Sequence, residues 1–222
     1  MKKYLFIILI LLVIPSGVKA SENIEVKYYK TVIDKINDIR FTTEITKEEY
    51  DNVNAISLYS TNHETEYKKV KIENSGNNLL LSVDWKKNPA VRSYDVIALR
   101  GVGVTFNYRT VEGIQQYTDN NTPSYIAYHD DSANVKLFSN GLGISMNLVD
   151  GASNYSLSLS INYIKNTNNG TVYGTYQHSQ RDISLSQSQK YTISANGYGG
   201  VLDFDSSVED YFDGMGGVSI NV

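Results

Sequence analysis

The chain contains no cysteine, which excludes a disulfide framework, thiolate chemistry and lipid attachment at a cleavage-site cysteine. Histidine is nearly absent too. His63, His129 and His178 are the only imidazole bases, and none lies in a recognisable nucleophile motif. Three prolines, no fixed-period repeat and no Pro- or Gly-rich linker give no sign of a second domain. The one apolar run, residues 4–14, is shorter than the roughly 20 residues that a spanning helix needs.

That run belongs to "MKKYLFIILILLVIPSGVKA", in which two lysines, an apolar stretch and a small-residue end at Ala20 make the three parts of a signal peptide. The expectation is therefore residues 1–20 as a leader cleaved after Ala20, then residues 21–222 as a single secreted domain with no stable membrane span. Export without disulfides suits a bacterial envelope or culture medium. The leader would take three of the 20 basic residues, leaving 17 against 24 acidic ones, a net charge of −7. Such a chain is a poor generic binder of nucleic acid or anionic lipid.

Eighteen tyrosines, with many Ser, Asn and Thr, favour strands over helices. The N-terminal part reads as mixed: Ile24, Val26 and Tyr28 alternate, Val32, Ile33, Ile36 and Ile39 recur at helical spacing, and Thr46 with Glu49 forms a capping box for a short helix. From Ala55 the period is two. "AISLYS" reads as a strand, and "EYKKVKIENSGNNLLLSVDWKK" as a hairpin turning at Ser-Gly-Asn-Asn. "SYDVIALRGVGVTFNY" reads as one long central strand, apolar on both faces near Val96 to Leu99, with Gly101 and Gly103 marking a bulge or a bend. Further strands are expected at "SYIAYH", "VKLFS", "GISMNLV", "YSLSLSINYI", "TVYGTY", "DISLSQ", "YTISA" and "GVLDF", with a capped helix at "SVEDYF". The fold class is all-β: an antiparallel sandwich, jelly-roll or immunoglobulin-like, with one to three short peripheral helices.

In "YSLSLSINYI" the alternation is almost unbroken. A core row of Tyr155, Leu157, Leu159, Ile161 and Tyr163, with Ser156, Ser158, Ser160 and Asn162 facing outward, fits a sandwich. A membrane hairpin would need an apolar row on its second arm as well, and neither face of "TVYGTYQHSQ" supplies one.

Candidate chemistry is thin. His129, Asp130 and Asp131 are consecutive and fit a polar strand end better than a metal site. The carboxylate pairs Asp203 with Asp205 and Glu64 with Glu66 lie at strand spacing, unlike glycosidase pairs that face each other across a cleft. Calcium wants several oxygen ligands, and "DFDSSVEDYFDG" offers Asp203, Asp205, Glu209, Asp210 and Asp213 without matching an EF-hand loop. Calcium at Asp203, Asp205, Glu209 and Asp213 is the one cofactor considered. Lys68, Lys69, Lys71, Lys86, Lys87 and Arg92 form a local basic cluster, read as edge protection or as a patch for an anionic polymer. Tyrosine rings stack on sugars and donate hydrogen bonds. The candidate ligand-binding residues are accordingly Tyr125, Tyr128, Tyr173, Tyr176, Lys69 and Lys71.

The functional expectation is an exported, non-catalytic binding protein of the cell envelope or extracellular space, its partner a glycan or another envelope polymer. The rivals are a β-pore-forming toxin and a small jelly-roll polysaccharide hydrolase.

Overall fold

A computed structural model describes residues 4–6, 28–34, 39–45, 61–213 and 216–222. The chain divides into two compact units, Met1–Ile56 and Ser57–Val222. In the first, strands β1 (Tyr4–Phe6), β2 (Tyr28–Asp34) and β3 (Ile39–Ile45) pair antiparallel in that order. This corrects the helix expected from the spacing of Val32, Ile33, Ile36 and Ile39. Val32 and Ile33 lie in β2 and Ile39 opens β3, as β-branched side chains prefer. Ile24, Val26, Ile36, the capped helix at Thr46 and the strand "AISLYS" lie outside the described residues.

The second unit holds β4 (Asn62–Glu64), β5 (Lys68–Ser75), β6 (Asn78–Trp85), β7 (Tyr94–Val102), β8 (Val104–Asp119), β9 (Thr122–His129) and β10 (Val135–Phe138). There follow β11 (Gly141–Asn147), β12 (Ser153–Lys165), β13 (Thr171–Gln177), helix α1 (Leu185–Ser188), β14 (Tyr191–Tyr198), β15 (Leu202–Phe204), a 3-10 turn (Glu209–Tyr211) and β16 (Val218–Asn221). Two antiparallel sheets form, a six-stranded one in the order β4-β5-β6-β12-β8-β9 and a five-stranded one in the order β10-β11-β7-β13-β16. Their facing side chains make one core, so the architecture is an antiparallel β-sandwich.

Turn chemistry sets the registers. Gly76, with φ +65°, takes the first central position of the β5–β6 turn, where a two-residue hairpin of the II′ kind demands glycine. Asn120 and Asn121, at φ 46° and 64°, close the β8–β9 hairpin in the I′ pattern. The expected long strand from Ser93 to Tyr108 is instead two strands in opposite sheets. Gly103, at φ +69°, makes the break, so the chain leaves the five-stranded sheet as β7 and enters the six-stranded one as β8.

β7 is buried on both faces, as its apolar run predicts. Ile97 and Leu99 join the core between the sheets, while Val96 and Ala98 face a second cluster with Ile183, Tyr191, Val201, Leu202, Phe204, Val208 and Phe212. The β14–β15 hairpin (Tyr191, Leu202, Phe204) and the flanking loops therefore cover the outer side of the five-stranded sheet. Two local expectations fail in that covering layer. "DISLSQ" carries no strand, because Ser184 and Gln187 form a reciprocal capping box and start α1. The capping box expected of Ser206 and Glu209 does not form, although a 3-10 turn stands at Glu209–Tyr211: Val208 precedes it without a side-chain cap, Asp205 accepts the Ser207 N–H at 2.8 Å, and Glu209 is occupied by the Tyr198 hydroxyl at 3.0 Å.

The alternation of β12 does what its pattern predicts. Tyr155, Leu157, Leu159, Ile161 and Tyr163 are buried in the core, and Ser156, Ser158, Ser160 and Asn162 are half-buried on the other face. β12 and β13 are not arms of one hairpin: residues 166–170 carry the chain from the six-stranded to the five-stranded sheet.

Candidate functional site

The outer face of the six-stranded sheet collects several of the residues that the sequence singles out. Strand parity sends Val70, Leu81, Val111, Tyr128 and Leu159 inward, so their neighbours point out. Across the sheet the registers then align three outward rows. The first runs Tyr125, Gln116, Ser156, Asp84, Lys69 and Glu64. The second runs Ala127, Ile114, Ser158, Ser82, Lys71 and Asn62, and the third His129, Glu112, Ser160, Leu80 and Glu73.

Serines occupy the middle of these rows, and longer side chains stand to either side. Ser156 Oγ donates to Asp84 at 2.8 Å, which fixes one of the hydroxyls. On edge strand β9 the Tyr125 ring is 70% exposed, the largest exposure among the large hydrophobic side chains of the described residues. On the opposite side Lys69 reaches Glu64 at 3.6 Å and Lys71 reaches Glu73 at 2.6 Å. Lys86 also pairs with Glu64, and Lys87 lies 3.4 Å from Glu66. The five lysines of the basic cluster are thus paired with carboxylates: Glu64 and Glu66 serve Lys69, Lys86 and Lys87, Glu73 serves Lys71 and Asp213 serves Lys68, while Arg92 donates to the Tyr155 hydroxyl at 3.1 Å. Lys86 is the main reason that the Glu64 carboxyl sits below its ordinary range.

Of the predicted ligand residues, Tyr125, Lys69 and Lys71 share this face. Tyr128 and Tyr176 are buried in the core. Tyr173 is half-buried on the covered side of the five-stranded sheet, under the Arg100 guanidinium at 4.4 Å. The tyrosine pairs split because residues three apart in a strand point to opposite faces. Nor does the structure gather the four calcium candidates. Asp203 is exposed, Asp205 and Glu209 are engaged as described, and Asp213 pairs with Lys68. No group of three or more acidic or imidazole side chains able to hold a metal occurs among the described residues.

A second constellation lies inside the sandwich. Asp95, fully buried on β7, accepts hydrogen bonds from the Tyr176 hydroxyl and from the Ser179 N–H at 2.9 Å, and pairs with His178 Nδ1 at 3.0 Å. Trp85 Nε1 donates to the Tyr176 hydroxyl at 3.0 Å, and its ring meets His178 edge-on at 4.9 Å. Burial, and then the Asp95 charge, pushes the Tyr176 hydroxyl well above the ordinary phenol range, so it stays a donor. Lys68, 4% exposed, extends its ammonium to Asp213 across the Trp85 and Tyr176 rings. Asp213 in turn accepts the His178 N–H at 2.9 Å. The neighbouring Ser179 hydroxyl donates to the Arg181 carbonyl at 2.6 Å.

Reading by motif misses this cluster, yet its signal is in the phase. Asp95 falls in step with Ile97 and Leu99, and Lys68 in step with Val70 and Ile72, so each charge occupies a core position of its strand. His63, on β4, lies beside them. Burial, and secondly the Lys68 charge, lowers its pKa below the usual imidazole value. The unfolded chain therefore binds the more protons just below pH ~6.5, and the stability linked to His63 is full above that pH and declines as pH falls through it. Urea titrations at pH 7.5 and 5.5 should show a larger loss for the wild type than for His63→Gln.

Fold and sites together define an all-β sandwich with a polar outer sheet face and a buried charged cluster. No family model matches the chain, and no curated protein does. Among solved structures it is similar to the collagen-binding domain from a Staphylococcus aureus adhesin, with a TM-score of 0.40 and 9% identity over 72% of this chain and 99% of that one. It is also similar to ACE19, the collagen-binding subdomain of the Enterococcus faecalis surface protein ACE, with a TM-score of 0.32 and 15% identity over 57% and 91% of the two chains. A structure comprising manganese lipoxygenase of Gaeumannomyces graminis and part of zonadhesin of Komagataella pastoris gives a TM-score of 0.39 and 8% identity, over 88% of this chain and 53% of that one.

Proposed function

We propose that this chain is exported, is cleaved after Ala20, and acts outside the cell as a non-catalytic binding protein whose ligand lies along the outer face of the six-stranded sheet. The alignment of Tyr125, the central serines and the paired lysines in adjacent rows carries this reading. An exposed aromatic ring beside hydroxyls and amides suits a hydroxyl-rich glycan, which offers apolar ring faces for stacking and many hydrogen-bonding groups. An anionic polymer is disfavoured: Glu64, Glu73, Asp84 and Glu112 outnumber Lys69 and Lys71 on this face. The pore alternative would have to take the apolar row of β12 out of the core, and the buried cluster gives the hydrolase alternative no support, since Asp95 is buried and Asp213 is tied to Lys68.

Binding to a panel of purified cell-wall and extracellular polysaccharides, with collagen included, tests this directly. Tyr125→Ala should weaken binding to the polysaccharide that the wild type retains by about tenfold or more, the scale of losing one stacked ring, with folding unchanged. Equal binding by the variant would reject the face, and retention of collagen alone would reject the glycan.

A further inference from the structure

We infer that Lys68 and Asp213 condense to an intramolecular amide, a covalent staple between the first hairpin of the sandwich and the segment before its last strand. The inference is independent of the proposed glycan site. A lysine ammonium that is 4% exposed, flanked by the ring centroids of Trp85 at 5.1 Å and Tyr176 at 4.9 Å, sits against one oxygen of the Asp213 carboxyl. The other oxygen accepts the backbone N–H of His178 at 2.9 Å, and the Asp213 N–H donates to the His178 carbonyl at 2.9 Å, so the carboxyl is held at both ends. Burying two charges is expensive, and an amide at the same place would bury none.

The groups stand in the order that acyl transfer requires. A proton passes from the Lys68 ammonium to Asp213 Oδ2, giving amine and carboxylic acid. The Nζ lone pair attacks Cγ, and the charge that develops on Oδ1 is met by the His178 N–H already bonded there. The Cγ–Oδ2 bond then breaks as a second proton moves from nitrogen to Oδ2. One Nζ–Cγ bond forms, one water leaves, and nothing is oxidised or reduced. Free amines and carboxylates do not condense in water, but fixed groups gain effective molarities of roughly 10⁵–10⁸ M. Asp95 is a positioning residue: through the Tyr176 hydroxyl and the His178 ring it fixes the two groups that frame the reaction. The amide would join β5 of the six-stranded sheet to the approach to β16 of the five-stranded one, in a chain with no cysteine to do so.

Intact mass spectrometry of the folded, full-length chain decides this. The wild type should weigh less than its sequence mass by one water, about 18 Da, and a digest should yield a branched peptide containing both Lys68 and Asp213. Because Gly214 follows Asp213, a succinimide would give the same loss. Lys68→Arg separates the two, since it abolishes an amide and leaves a succinimide, and hydroxylamine opens only the latter. Asp213→Ala should restore the full mass, and Asp95→Asn should retain the water while its circular dichroism stays native, with Asp95→Glu recovering the loss. A folded wild type at full sequence mass, or a loss of water that survives Lys68→Arg, would overturn the amide.

Discussion

Leu159→Ala should destabilise the sandwich by about 2 to 5 kcal/mol, the range for truncating a fully buried leucine, while Ser158→Ala beside it should change stability by less than about 0.5 kcal/mol. Leu159 is completely buried at the centre of β12, paired with Leu81 on one side and Gly113 on the other. The gap beside Gly113 is already filled: a Cβ there would stand 2.6 Å from Ile144 Cδ1 and 2.9 Å from Met146 Cε. The core around Leu159 is interlocked with the opposite sheet, which leaves little room for collapse into the space that alanine opens. Ser158 lies on the outer face opposite Ser82 and Ile114 and makes no comparable contact. Chemical denaturation of the two variants reads the difference, and equal stabilities would contradict the assignment of the two faces.

The second large effect concerns the buried charge. Asp95→Ala should cost about 3 to 5 kcal/mol, because it strips the acceptor from the Tyr176 hydroxyl, the Ser179 N–H and the His178 ring at a fully buried position. Asp203→Ala, on the exposed side of β15, should stay within about 0.5 kcal/mol. Thermal or urea unfolding of the two variants checks the contrast. Near-equal values would mean that Asp95 is held at no advantage over a surface carboxylate.

These two positions also show where sequence reading succeeds and where it stops. β12 is buried on one face only, so a period of two exposes both its structure and its orientation. β13 is central and buried over most of its length, with Thr175 and Gln177 among its buried residues, so alternation is silent there. Its Gly174 is spacing rather than a turn: a Cβ would stand 2.8 Å from Leu81 Cδ1. Gly103 is visible as a bend, but no local pattern says that the strand beyond it belongs to the other sheet. The polar face of β12 is legible residue by residue. That Tyr125 and Lys69 lie on the same face depends on the order β5-β6-β12-β8-β9, a long-range pairing that composition and period do not encode. The Lys68, Asp95 and Asp213 cluster is assembled from three distant segments in the same way.

The central functional claim is the place of the ligand, and amide chemical-shift mapping locates it most directly. An oligosaccharide cut from whichever polysaccharide the wild type retains is titrated into isotope-labelled protein. Shifts should concentrate on the outward rows of β9, β8 and β12, centred on Tyr125, Gln116, Ser156 and Ser158, and fade towards β14 and β15. Shifts confined to the β14–β15 layer or to the loops at the ends of the sandwich, with those rows unmoved, would contradict it.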